Sequence, residues 1–319
     1  MTARNHHYVP QCYLKGFAHY REKPKVFVID GKTEKTFSTH PQNVAQERDF
    51  HRVDIEGHEP DALENAFARV ESEIAPALKR ASGAGRFASE QDRTLVLNLA
   101  ALLAVKNPRQ RENTRDFAER LSKKMMQMVL SKKEIWESHV RRMKEDGVWD
   151  DSKEVSYEDM RKFVREDEYT ISMATEAHLS AELKAFDAVL PYFIDRQWTS
   201  IVAPPKTSGF ITCDHPVTLF WTDGNRQGNF PPPGHSLKNT TVVFPVSSRL
   251  AILGQFEKMP EFSFQATAEQ VASINNATIL NADRQIYARD NDFDYMSTRA
   301  DKMLKGVNLL QELNRPKGR

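Results

Sequence analysis

The run Leu95-Val-Leu-Asn-Leu-Ala-Ala-Leu-Leu-Ala-Val105 constrains this chain more than any other feature. It is apolar on nearly every side, so as a helix it leaves no face for water and has to sit at the centre of the core. Ser89-Glu-Gln-Asp92 resembles a capping box, with Ser89 as N-cap and an acid three residues on. Pro108 bends or stops the helix. The run, broken by Asn98, is too short for a bilayer, which needs about 20 apolar residues. No membrane association is expected.

Around this helix the pattern changes twice. Residues 1–60 hold a short β-branched run, Lys25–Asp30, then Asp30-Gly31 and a second extended run, Lys35–Thr39, which together predict a hairpin. Pro60 and Asp61 open a helix whose Leu63, Phe67, Val70, Ile74 and Leu78 form one buried stripe, closed by Gly83 and Gly85. Residues 109–168 are charge-dense at helical spacing and predict one or two long amphipathic helices, with a break at Gly147 and Asp150–Ser152. Another helix is expected over 168–196, kinked at Pro191. From Trp198 onwards strands dominate: Thr199–Ala203, Gly209–Thr212, Val217–Trp221, Thr240–Phe244, Leu250–Leu253 and Arg284–Ala288. Thr267-Ala-Glu-Gln270 is a second capping box, opening a helix to about Ala282. The expected class is α+β: a helical middle region (61–197), between an N-terminal segment (1–60) and a β-rich region (198–319), packed on a largely antiparallel sheet in one integrated domain.

Composition excludes more than it identifies. Lys and Arg number 45 and Asp and Glu 44, so the net charge of +1 supplies no basic field. A nucleic-acid partner is possible only through an asymmetric surface. Two cysteines, Cys12 and Cys213, fit a reducing compartment. The opening Met-Thr-Ala-Arg-Asn-His-His lacks the apolar stretch of a secretory signal, and a cytoplasmic protein is expected.

Phosphate-binding loops, dinucleotide fingerprints, zincin helices and nucleophile elbows are absent from the sequence. The N-terminal segment carries more information. His6-His-Tyr-Val-Pro-Gln-Cys-Tyr-Leu-Lys-Gly-Phe17 contains a His-x-x-P element (His7, Pro10) followed by Leu-x-x-Phe (Leu14, Phe17). Thr212-Cys-Asp-His-Pro-Val217 and Phe244-Pro-Val-Ser247 follow in order. In these motifs the chain resembles the DUF4238 family, bacterial domains of unknown function, over nearly its whole length. The resemblance implies a shared fold and no activity. Cys213 and His215 replace the family's Ser and Asn, and Cys12 a usual aromatic.

His6-His-Tyr-Val-Pro10 also resembles the opening of HNH-type nucleases, and Asn43 precedes His51 by eight residues, as the orienting Asn precedes the distal ligand there. The analogy implies a metal-assisted phosphodiester hydrolase, such as a nuclease in bacterial defence. A divalent metal ion would be held by His6 and His51, with His7 as base, Asn43 as its orienter, and a short helical stretch over Val44–Phe50. Asp214, at a strand end before Pro216, is a third candidate catalytic residue or metal ligand, or else the cap of a turn. Arg109 and Arg111 are candidate phosphate contacts, or a solvated helix end. Glu64 and Glu71, two turns apart, could face one cleft. A zinc tetrad of His7, Cys12, Cys213 and His215 is a further reading. The rival from another class is a non-catalytic ligand- or protein-binding module in which the His and Asp motifs are buried locks. Segment 6–17 is expected to pack against 209–216.

Overall fold

A computed structural model describes residues 5–20, 23–53, 59, 62–149, 155–222, 233–257 and 262–314. The chain divides into two units, residues 109–178 and the remainder.

The remainder begins with β1 (Asn5–His7), helix α1 (Gln11–Leu14) and a tight turn, Lys15–Phe17. β2 (His19–Tyr20), β3 (Pro24–Asp30) and β4 (Lys35–Thr39) follow. β3 and β4 form the hairpin expected at Asp30-Gly31, with Val26 opposite Thr39 and Asp30 opposite Lys35. The Asp30 carboxylate closes the loop by accepting the backbone N–H groups of Lys32 and Thr33. The helical stretch expected over Val44–Phe50 does not form. β5 (Gln46–Arg48) runs there instead, antiparallel to β1 with His6 opposite Glu47. Ala45 and Asp49 on either side adopt left-handed backbone (φ 52° and 57°), which no continuous right-handed helix allows.

Helix α2 (Ala62–Ala84) carries the expected stripe only in part: Ile74 and Leu78 are buried, whereas Val70 is 46% exposed. Its expected start at Pro60-Asp61 lies outside the described residues. Gly85, at φ +65°, ends the helix in the conformation glycine tolerates best. Ser89 then accepts the N–H of Asp92 and caps α3 (Glu90–Val105), whose Val96, Leu97, Leu99, Ala100, Ala101 and Leu103 are all buried. Arg80 of α2 grips Asp92 of α3 with two nitrogens, at 3.1 and 2.5 Å.

Pro108 stops α3 and opens α4 (Pro108–Val129), since its fixed φ suits a first helical turn. Three helices fill 109–168 in place of one or two. α5 (Lys133–Glu145) and α6 (Tyr157–Glu166) follow α4. Gly147 at φ +69° and Asp167 at φ 51° end α5 and α6; Asp150–Ser152 lies outside the described residues. Within this unit Trp136 meets Trp149 edge-on, and Lys123 bridges Glu119 and Asp167. α7 (Thr175–Ile194) starts seven residues later than expected and runs through Pro191.

The β-rich region supplies β6 (Gln197–Val202), β7 (Thr212–Cys213), β8 (Thr218–Trp221), β9 (Thr240–Pro245), β10 (Leu250–Gln255) and β11 (Ser263–Gln265). After α8 (Ala268–Asn281) come β12 (Gln285–Ala288), the hairpin β13 (Asp294–Ser297) and β14 (Lys302–Lys305), and α9 (Leu309–Asn314). One sheet has the order β11-β6-β10-β9-β8, antiparallel except for β11 beside β6. Another runs β2-β3-β12-β7, with β4 also on β3. The fold is α+β, its sheets mostly antiparallel. Both halves of the Thr267/Gln270 capping box are present.

Residues 209–211 were expected to extend β7, but their backbone groups go elsewhere. Phe210 N–H donates to the Ser248 carbonyl, and Ile211 N–H to the buried Asn275 side chain. The Asn275 amide donates in turn to the Gly209 and Asp294 carbonyls. Segment 6–17 does meet this region. The fully buried Tyr13 hydroxyl lies 2.8 Å from Thr212 Oγ1 and donates to the Pro245 carbonyl at 2.6 Å. Among the described residues no helix is long and apolar enough to cross a membrane.

Two predictions follow from this packing. Gly209 has φ +83°, and a Cβ there would stand 1.8 Å from the Ser248 carbonyl oxygen. Gly209→Ala should therefore destabilise by about 2–5 kcal/mol in urea titration, combining backbone strain with a clash. Asp30 accepts from Arg284 and Gln285 besides its own loop. Burial pushes its carboxyl up, but these bonds and the Arg284 charge outweigh that and hold it at about 2. Its stabilisation is thus complete above the ordinary carboxylate range and is lost as pH falls towards about 2. Asp30→Asn should cost about 1.5–3 kcal/mol at pH 7 and lose its penalty as the pH approaches 2.

Candidate functional site

β1 and the turn after β5 bring two histidines together. Pairing with β5 aligns β1 so that the His6 ring turns inward, fully buried, and stacks on buried His51 at 5.5 Å with the planes 7° apart. The His51 backbone N–H donates to His6 Nδ1 at 2.8 Å. α2 adds Glu64, whose Oε2 lies 2.6 Å from His51 Nδ1. α3 adds Lys106, just past its last turn, with Nζ 3.3 Å from His51 Nε2 and 4.0 Å from the centre of the Phe67 ring.

These contacts define the proton arrangement. An ammonium can only donate, so His51 Nε2 is the acceptor and Nδ1–H donates to Glu64. The result is a relay, Lys106 to His51 to Glu64, buried at Lys106 and His51 and half-buried at Glu64. Burial pushes the Glu64 carboxyl up, but the hydrogen bond from His51, with the Lys106 charge beyond it, pulls it below its usual range. Glu71, one face-repeat further along α2, has no such bond, and burial raises its carboxyl despite Lys106.

His6, His51 and Glu64 each offer a ligand atom, all within 4.8 Å of one another, and form the one such group among the described residues. An ion here would replace the proton shared by His51 and Glu64. His6 would need its Nδ1 released from the His51 amide, or its Nε2 proton displaced. Two imidazoles and a carboxylate suit zinc, manganese or nickel better than magnesium.

His7, next along β1, feels both Glu64 and Lys106. Its Nε2 is buried without a hydrogen-bond partner. Burial lowers its pKa against the pull of Glu64 and of the Gln42 and Pro41 carbonyls, so the ring is neutral at neutral pH. Asn43 sits in the turn Pro41–Asn43, and its exposed amide donates to Thr39 Oγ1 at 3.0 Å.

Asp214 lies elsewhere, past the end of β7. Its carboxylate accepts three successive backbone N–H groups, from Asp283, Arg284 and Gln285, at 2.9, 2.7 and 2.9 Å. It therefore ties the strand end to the start of β12. Burial nevertheless raises its carboxyl above the usual value. Tyr8, beside His7, reaches this region through a hydrogen bond with Tyr287 and the field of Asp214. Cys213 bonds with the backbone of His215, and the proposed zinc tetrad does not gather at one point. Arg109 and Arg111 lie in the first turn of α4, the positive end of that helix, in the unit 109–178. This replaces the helix C-terminus at which a solvated pair was expected.

Glu64 was legible as one of two carboxylates on a common helix face, without its partner. Lys106 carried one overlooked signal: a lysine directly continuing a helix that is apolar all round has no route to solvent.

The protein is thus an α+β chain carrying a His–His–Glu–Lys cluster that is buried except at the half-buried Glu64. A family model, DUF4238, protein of unknown function, matches residues 5–292, and the chain belongs to that family. No curated protein and no solved structure matches it.

Asp214→Asn turns one acceptor into a donor facing backbone N–H groups. It should cost about 1–3 kcal/mol in chemical denaturation, with hydrogen exchange quickening first at residues 283–285.

Proposed function

We propose that the chain is a metal-dependent hydrolase acting on phosphodiesters, with the ion held by His6, His51 and Glu64. The observation that carries the reading is the convergence of those three side chains within 4.8 Å, on β1, the turn after β5 and α2. A divalent ion bound there would polarise a phosphoryl oxygen and offset developing charge. The neutral, partnerless Nε2 of His7 is suited to take the proton from attacking water. Lys106, whose ammonium now contacts His51, would turn to a phosphate oxygen once an ion occupies the cluster. Arg109 and Arg111 are proposed as phosphate contacts within their own unit, 109–178. Asn43 would act as orienter only by leaving Thr39, and Asp214 as a supporting group behind β7.

A second reading is favoured by a specific observation. Lys106 already places a cation on His51, and Asp214 spends its carboxylate on backbone N–H groups. In that reading both clusters are locks of a non-catalytic binding module, and the positive charge the site needs is its own lysine.

One set of variants separates the two. Wild-type protein dialysed against Zn²⁺ or Mn²⁺ should retain about one ion per chain, and Glu64→Gln and His51→Ala should retain none. Cleavage of DNA or RNA should require the ion and vanish with chelator. His7→Ala should lower the rate by about 10²–10⁴-fold, the usual loss for a general base, without a matching fall in thermal midpoint. Retention of no metal, no cleavage with Mg²⁺, Mn²⁺, Ni²⁺ or Zn²⁺, and a destabilised His51→Ala would establish the lock instead.

A further inference from the structure

A cavity of about 790 Å³ opens between α1 with its following turn, the second half of α2, and the β9–β10 connection. None of His6, His51 and Glu64 lines it. Four cationic side chains do: Lys15, Lys79, Arg249 and Arg289, and among the described residues no Asp or Glu lines it. In a chain whose net charge is +1, four cations around one cavity without a lining acid is a strongly local excess.

Those cations are not consumed by the fold. Among the described residues Lys15, Lys79 and Arg289 have neither an ion pair nor a side-chain hydrogen bond. Arg249 is different, because its guanidinium donates to the Pro204 and Pro205 carbonyls and is thereby fixed in place. Glu71 and Asp290 are close enough to be felt by Lys15 and Arg249, yet neither lines the cavity. Bare like charges facing a common space repel one another, an arrangement that an anion relieves.

The rest of the lining narrows the class of anion. The hydroxyls of Ser82, Ser247 and Ser248 offer further donors, while Ala75, Leu78 and Val246 supply apolar wall. Inorganic phosphate would leave most of the volume empty, whereas the volume falls in the range of small-molecule sites, about 300–1,000 Å³. Cys12 also borders the cavity, but burial pushes its thiol up to about 12, so it serves as wall and not as nucleophile.

We propose that this cavity binds a nucleotide-sized organic phosphate, its phosphates met by Lys15, Lys79 and Arg289 beside the fixed Arg249 and its organic part laid against Ala75, Leu78 and Val246. The inference is independent of the metal reading. Fifteen residues of α2 separate Glu64 from Lys79, about 22 Å along a helix, so this is a second site.

The test is calorimetric titration of the full chain with ATP, GTP, inorganic tripolyphosphate and citrate, with thermal midpoints in parallel. ATP or GTP should bind below about 1 mM, tighter than tripolyphosphate, raise the midpoint, and weaken as salt screens the charges. Citrate should bind at least tenfold more weakly. Lys79→Glu and Arg289→Glu should each lower nucleotide affinity by about tenfold or more, while the ligand-free midpoint does not fall, because neither side chain has a partner to lose and each reversal relieves repulsion. Glu64→Gln should bind nucleotide as wild type does. Absence of binding by both nucleotides, equal binding of citrate, or undiminished affinity in both charge-reversal variants would overturn the proposal.

Discussion

The Tyr13 hydroxyl holds the architecture together. It has no solvent exposure, and it bonds both Thr212 on β7 and the Pro245 carbonyl on β9, strands of two different sheets. A buried hydroxyl must find partners or carry the cost of lost hydration, so this side chain fixes the sheets relative to the segment that supplies it. The ring reinforces the bond by stacking on Phe244 at 5.2 Å and by packing on Phe17. Three of the side chains proposed to be functional belong to this anchored segment: His6 and His7 precede Tyr13 by a few residues, and Lys15 follows it by two.

Seen from that anchor, α2 connects two chemistries. Its first turns present Glu64 to the histidine cluster, and its last turns present Lys79 and Ser82 to the cationic cavity. Midway, Glu71 senses Lys106 on one side and Lys15 on the other. α3 contributes differently. Being apolar on all sides it can only be buried, and it carries Lys106 into the interior with it, where the ammonium is tolerated because His51 accepts from it and Phe67 offers its ring face.

Asp214 and Asp30 show how differently two buried carboxylates can be used. Asp30 faces the Arg284 guanidinium and sits at about 2. Asp214 meets only backbone dipoles, which do not outweigh its desolvation, and its carboxyl is raised. Both act on residues 284 and 285, so β12 is pinned at its start by two acids from separate parts of the chain.

Local chemistry in the sequence determined a good deal: the Ser89 and Thr267 caps, the β3–β4 hairpin, the burial of most of Leu95–Val105, with only the Leu95, Asn98 and Leu102 strip half-buried, and the strands from Thr240 to Leu253. Each depends on residues within a turn or two of one another, or on a periodicity that burial alone enforces. The two neighbouring histidines also stood out, as did the shared face of Glu64 and Glu71. Tertiary structure decided the rest. Gln46–Arg48, inside the stretch expected to be helical, became a strand because β1 offered it a partner, and pairing with a distant segment leaves no local signature. Residues 209–211 left the ladder because Asn275, more than sixty positions away, and the Ser248 carbonyl took their hydrogen bonds. His51 acquired Glu64 and Lys106, and Lys15 acquired Lys79 and Arg289 around one cavity, only when the helices packed. Spacing along a chain reports which residues share a face; which faces meet is set by the burial of the whole core.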